Sequence, residues 1–119
     1  MANTLTESIL TSIKKLLGID ENDTSFDADV IIHINSSFMI LNQLGVGPEN
    51  AFSITDKSSV WNDFMPDSNK IELVKSWMHL KVKLIFDPPS SSTVIESMNK
   101  LINEFEWRIL TEAEIHRLK

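Results

Sequence analysis

Cysteine is absent from this chain of 119 residues, and glycine is scarce, with three residues. Without a thiol the chain can form no disulfide, iron–sulfur cluster, thiolate zinc site or cysteine nucleophile. Two of the glycines lie in "GVGP", which continues into Pro and Glu. A phosphate-binding loop would continue into Lys and Ser or into a glycine that opens a helix. The sequence therefore predicts no nucleotide site of these kinds.

Positive charge is in deficit as well. The chain has 11 Lys and Arg residues against 17 Asp and Glu residues, which gives a formal net charge of -6 at pH 7. Proteins that bind phosphate backbones rely on clustered Lys and Arg side chains. Binding to nucleic acid or to an acidic membrane is therefore not expected to be the main activity.

Long hydrophobic runs are also missing. No segment approaches the roughly 20 apolar residues that a membrane span needs. The N-terminal "MANTLTESILTSIKKLL" lacks the basic start and unbroken apolar core of a signal peptide. We therefore expect a soluble protein that stays inside the cell that makes it. With 42% hydrophobic and 24% charged residues, the chain is expected to form one compact domain over residues 1–119.

Apolar residues recur at helical spacing in four segments, which predicts an all-α bundle of about four main helices. The first helix is expected to begin at Thr4, because Glu7 follows at the spacing of a capping box. Gly18 is expected to close it. The acidic and polar stretch that follows is interpreted as a turn.

The second predicted helix runs from about Asp27 to Gly45. It is apolar on two faces, with Ile32 and Met39 on the second face. A helix of this kind belongs in the middle of a bundle, so we expect it to be central. Residues 49–68 show no sustained period, although Ser59 is placed to cap a short helical turn there.

The third main helix is predicted from about Asn69 to Phe86. Its "LKVKL" alternates as a strand would, but it continues a longer helical run and has no hairpin partner, so a helix is favoured. The residues expected to point inward are Ile71, Val74, Trp77, Met78 and Ile85. Pro88 and Pro89 then force a corner, because they remove N–H groups and exclude the helical conformation before them.

The last helix is expected to start at once after the corner, with Thr93 and Glu96 at capping-box spacing. Its core stripe is predicted to be Ile95, Met98, Ile102, Phe105 and Ile109. Trp107 and Leu110 share another face. A terminal helix in a small domain normally needs one apolar stripe, so the second face suggests a further contact.

No pattern of catalytic or metal-binding residues is found. The acidic run 20–24 departs from a calcium loop, because Ser25 stands where the loop needs glycine and Ile31 where it needs a bidentate Glu. His33, His79 and His116 lack the spacing of a metal site. We expect no enzyme, no cofactor and no metal.

Two stretches resemble a known family. They are "LLGIDENDTSFDADVIIHINSSFMILNQLGVGP" and "FDPPSSSTVIESMNKLINEFEWRI", within Leu16 to Pro48 and Leu73 to Ile109. They are similar to the small head-tail connector proteins of tailed bacteriophages and prophages of Gram-positive hosts. The most specific part is "KLIFDPPSSSTVIES", followed by "NEFEWR".

The resemblance implies an all-helical structural protein of the virion, located at the head-tail interface and in the host cytoplasm during assembly. Such connectors form a ring, commonly of twelve copies, beneath the portal protein. The ring extends the DNA channel, which DNA passes without specific binding, and offers a docking surface to stopper or tail-completion proteins. The family has no catalytic residues to transfer to this chain.

For such an assembly we predict five interface residues, because aromatic and Arg side chains are the usual interface anchors. They are Trp61, Phe64, Trp107, Arg108 and Leu110. Two alternatives remain open at this stage. One is a DNA-packaging accessory that binds nucleic acid through Lys70, Lys75, Lys81 and Lys83, and the other is a cytosolic helical adaptor unrelated to phage.

Overall fold

The computed structural model describes residues 4–118, and side chains for residues 4–111. Within this range the chain forms a 3₁₀ turn and five α-helices, and no strand. The elements are the turn Thr4–Thr6, α1 (Ile9–Leu16), α2 (Asp27–Gln43), α3 (Trp61–Phe64), α4 (Ser68–Phe86) and α5 (Ser92–Leu118). The predicted all-α bundle of four main helices, with a short helical turn between residues 49 and 68, is confirmed.

The first helix starts later than its capping-box pattern predicts. Thr4–Thr6 forms the 3₁₀ turn, and Ser8 caps α1 by accepting a hydrogen bond from the Thr11 N–H at 3.2 Å. The Glu7 carboxylate pairs instead with the Lys75 ammonium of α4, at 3.2 Å. The predicted start was wrong because a partner distant in sequence takes the side chain that would have closed the box.

Both glycines predicted to end helices do so. Gly18 follows the end of α1 with a φ of 82°, and Gly45 follows the end of α2 with a φ of 81°. Glycine adopts this left-handed conformation without the steric cost that a Cβ would bring.

The bounds of α2 agree with the prediction, but its central position does not. Its inner stripe, which includes Ile34 and Phe38, is buried, whereas Ile32 and Met39 are 60% and 51% exposed. The middle helix is instead α4, which packs against α1, α2 and α5. Because α2 and α5 both pack on α4 but make few or no contacts with each other, they lie on different sides of it.

The corner between α4 and α5 lies where the prolines predict, and "LKVKL" is helical. The Ser91 hydroxyl caps α5 by accepting from the Val94 N–H at 3.3 Å, so the predicted Thr93 box is not used. Ile85, expected inward, is 61% exposed. The neighbouring Phe86 supplies the apolar contact at this level, packing edge-on against Phe26 at 5.4 Å between ring centroids.

The unpatterned segment between α2 and α4 is tied to the core by several specific contacts. The Asn35 side chain of α2 both donates to the Ile54 carbonyl, at 3.0 Å, and accepts from the Ile54 N–H, at 2.8 Å. Phe52 and Phe64 pack with Phe38 of α2 at centroid distances of 4.9 and 4.8 Å. These contacts order a segment that carries no periodic signal.

The polar turn between α1 and α2 is organised around a buried lysine. The Lys14 ammonium donates to the Glu21 and Asp23 carbonyls at 3.1 and 2.8 Å. It also lies 2.8 Å from Asp27 Oδ1 at the start of α2. This last contact is an ion pair without hydrogen-bond geometry. One cation therefore fixes the end of α1, the turn and the start of α2.

This arrangement makes Lys14 a stability determinant. Lys14→Ala is expected to lower the free energy of unfolding by about 2–3 kcal/mol, because two carbonyls and one carboxylate lose their cationic partner. The exposed neighbour Lys15 provides a matched control. Lys15→Ala is expected to change the free energy of unfolding by less than about 0.5 kcal/mol. Urea denaturation followed by circular dichroism measures both. Equal effects of the two substitutions would contradict this role.

Candidate interaction surfaces

The last helix presents an exposed aromatic side chain. Trp107 is 65% exposed, Asn103 one turn before it is exposed, and Leu110 is half-buried. These three residues share one side of α5, since positions three and four apart are neighbours on a helix. We call them the Trp107 face. Arg108, on an adjacent side of the helix, donates to Glu104 at 2.8 Å.

Packing of α5 on α4 determines which way the Trp107 face points. Met98, Ile102 and Ile109 are buried as predicted. The Trp77 indole N–H of α4 also donates to Glu106 Oε2 at 3.2 Å, which fixes the rotation of α5. Because each helical residue advances by about 100°, an inward Glu106 leaves the next side chain facing away from α4.

Two of the predicted interface residues lie in the core instead. Trp61 is 0% exposed and Phe64 is 4% exposed. The Trp61 indole N–H donates to the Ser12 hydroxyl at 2.8 Å, and its ring lies 6.3 Å from that of Phe38. Both side chains stabilise the monomer, and neither offers a partner an accessible surface. The three candidates on α5 remain accessible.

A shallow groove runs beside α5 on the side away from Leu110. It has a volume of about 330 Å³ and is lined by Leu16, His79, Leu80, Leu101 and Phe105 among others. Its walls come from α1, α4 and α5. The Nε2 atom of His79 is buried there without a hydrogen-bond partner. The lining of the groove also includes Glu72, Lys75 and Ser76 of α4, so apolar and polar residues contribute to it in equal number.

A second exposed apolar surface lies on α2, and sequence reasoning assigned it to the core. It consists of Ile32, Ser36, Met39 and Gln43, all exposed. We call it the α2 face. No Asp, Glu, Lys or Arg occurs between Asp29 and Glu49. This lack of charge is the sequence signal that sets the face apart, and it fits a central helix equally well.

Three of the four lysines of α4 make contacts within the monomer. Lys75 pairs with Glu7, Lys83 lies 3.5 Å from Asp87, and Lys81 lies 5.6 Å from the centroid of the Trp77 ring. A basic stripe for nucleic acid would need such side chains free to reach phosphates. Their pairing counts against the nucleic-acid alternative.

Other kinds of site find little support in the part of the chain that is described. No three His, Asp or Glu side chains there are grouped as metal ligands would be. The side chain of His116 lies outside the described residues. None of the described helices combines the length and hydrophobicity that crossing a membrane requires.

A family model described as phage connector protein matches residues 9–116, which is nearly the whole chain. No curated protein and no solved structure is significantly similar to this chain. The matched range begins at the first residue of α1 and extends to within two residues of the end of α5.

Truncation of Trp61 is expected to destabilise the protein strongly, and truncation of Trp107 is expected to have little effect. Trp61→Ala should lower the free energy of unfolding by about 3–5 kcal/mol, because it leaves a cavity in the core. Trp107→Ala should change it by less than about 0.5 kcal/mol, because most of that side chain is already in water. Urea denaturation followed by circular dichroism tests this. A large loss for Trp107→Ala would mean that this side chain belongs to the monomer core.

The pH dependence of stability is expected to include a contribution from His79. Burial, with a smaller effect of Lys83, lowers the pKa of His79 below its usual 6.5, against the opposing hydrogen bond with Leu16. Below about pH 6.5 the unfolded chain therefore binds this proton more readily than the folded one. Stability should fall as the pH drops through this range, by at most about 1.4 kcal/mol per pH unit from this group.

Comparison with His79→Gln isolates that contribution, because the carboxylates titrate equally in both proteins. Between about pH 7 and about pH 5, the free energy of unfolding is expected to fall more in wild type than in the variant. A constant difference across this range would show that the pKa of His79 is not lowered by folding.

Proposed function

The chain belongs to the phage connector protein family, and we propose that it forms a ring that docks beneath the portal protein of the phage head. Membership in this family gives it a structural role as a component of the virion that assembles with other virion proteins. The match over residues 9–116 is the observation that carries the proposal. It also counts against an adaptor unrelated to phage.

Ring formation requires two unlike surfaces on each copy, because a head-to-tail contact closes a cycle only when one surface meets a different one. The Trp107 face is suited to be one of them. Trp is the residue type most enriched among interface anchors, and here it is exposed on a helix that core packing holds in place. Leu110 and Arg108 complete the proposed contact.

The assembled ring would extend the DNA channel of the portal and offer its far side to a stopper or tail-completion protein. DNA would pass through without specific binding. The formal net charge of -6 supports this, since each Lys or Arg contact with a phosphate would add affinity that slows passage. Assembly would take place in the host cytoplasm, and the finished connector would be located at the head-tail interface.

The direct experiment measures the mass of the purified protein by light scattering, alone and after mixing with the portal protein of the same phage. A ring, or a complex of defined stoichiometry with the portal, is the expected result. Many weak contacts become effective only when a template links them, so the mixture is the decisive sample. A protein that stays monomeric and does not bind that portal protein would contradict the connector role.

The contribution of the Trp107 face is tested by the double variant Trp107→Ala, Leu110→Ala. We expect it to remain folded and to lose assembly or portal binding by at least about tenfold, because it removes the apolar anchors. Val94→Ala provides a control at another exposed apolar residue of the same helix, and it should assemble normally. Normal assembly of the double variant would remove both residues from the interface.

A further inference from the structure

The α2 face is unusual for a helix in contact with water. Ile32 and Met39 are 60% and 51% exposed, and the residues between them supply no charge. In a chain with 24% charged residues, an outer helix normally carries Lys or Glu on its solvent side. An exposed apolar patch without charges is typical of a surface that a protein covers.

The position of α2 in the fold indicates what kind of contact this surface makes. The Trp107 face points away from α4 on α5, and the α2 face points away from the core on α2. Since α4 lies between these two helices, the faces are unlike surfaces on different sides of one molecule. Unlike surfaces on different sides of one molecule allow the head-to-tail contact from which a closed ring is built.

The charges around Trp107 are compatible with a neutral partner surface. Arg108 and Glu104 are paired with each other at 2.8 Å, so they need no partner from another molecule. A buried charge without a partner would be costly, and the α2 face has none to offer or to leave unpaired. The Glu104–Arg108 pair therefore brings no unpaired charge to the contact.

The side-chain chemistry is also complementary. Trp has a large rigid ring, whereas Met is flexible and makes favourable contacts between its sulfur and an aromatic ring. From these observations we infer that the Trp107 face of one copy packs against the α2 face of a second copy, with the Trp107 ring between Ile32 and Met39. This inference rests on the proposed function and names the second surface of the ring contact.

One test introduces a charge into the α2 face. Ile32→Lys is expected to reduce association between copies by at least about tenfold while the monomer stays folded, because the side chain is exposed in the monomer. Ile85→Lys is a closely matched control, since Ile85 is the same residue type and 61% exposed on α4. It should leave association unchanged. Light scattering measures assembly, and circular dichroism checks folding.

Three outcomes of this test would overturn the inference. The first is that Ile32→Lys assembles as wild type does, and the second is that both substitutions weaken assembly equally. The third is that the variant forms normal rings and loses only portal binding, which would assign the α2 face to the portal. Loss of assembly confined to Ile32→Lys supports the inference.

A second test uses the absence of cysteine, which leaves no background in crosslinking. Ser36→Cys places a thiol between Ile32 and Met39, and Asn103→Cys places one beside Trp107, so the three side chains of the inferred packing, Trp107, Ile32 and Met39, are kept. The two single variants, one of them carrying a tag, are mixed under assembly conditions with a short bismaleimide. The mixed crosslinked dimer is the expected product.

Controls in the same experiment test the competing contacts. Glu72→Cys lies at the rim of the groove, and its crosslinking with Asn103→Cys in place of Ser36→Cys would show that the groove receives Trp107. Crosslinking of Asn103→Cys with itself would show a two-fold contact. Either product would overturn the inference.

The result also separates this inference from the proposed function. Rings that form without the mixed product would overturn the α2 contact and leave the connector role intact. A protein that assembles neither alone nor with the portal would overturn both.

Discussion

The buried indole of Trp61 is the contact on which the rest of the structure depends. Its N–H donates to Ser12 of α1, and its ring lies beside Phe38 of α2. Its backbone N–H donates to the Glu7 carbonyl at 3.2 Å, next to a hydrogen bond from Ile9 to the Ser59 carbonyl. One residue therefore joins the N-terminal segment, two helices and the long connection between α2 and α4. It holds the end of that connection against the bundle, while the Asn35 and Phe52 contacts hold its earlier part.

This arrangement separates the residues that hold the monomer together from those that are free for assembly. Two of the three tryptophans are fully buried, and the third stands on the surface. The central helix α4 separates α2 from α5, so the two outer helices present different surfaces in different directions. The proposed ring needs this asymmetry, because its copies would bind each other through unlike sides while its two ends would remain available to the head and the tail.

The sequence predicted most of the fold but only part of the candidate site. The helices α2 and α4 and the corner at Pro88 were predictable, because apolar periodicity and missing N–H groups act locally. The start of α1 was not predictable, since the Glu7 carboxylate pairs with Lys75, which lies 68 positions further along the chain. Trp61 and Phe64 lie in a segment without a period, and nothing local distinguishes a core aromatic from a surface one there. The second apolar face of α2 fits a central helix as well as an assembly surface, and only tertiary packing decides between them.

The contrast between the tryptophans has an optical consequence. The chain contains no tyrosine, so its ultraviolet emission comes from three indoles alone. Two of them are already shielded from water, and their emission has little reason to change when copies associate. The third is solvated in the monomer and would become shielded in a contact. A shift of emission towards shorter wavelength on association would therefore report on one side chain, and the protein carries its own fluorescent label at the surface of interest.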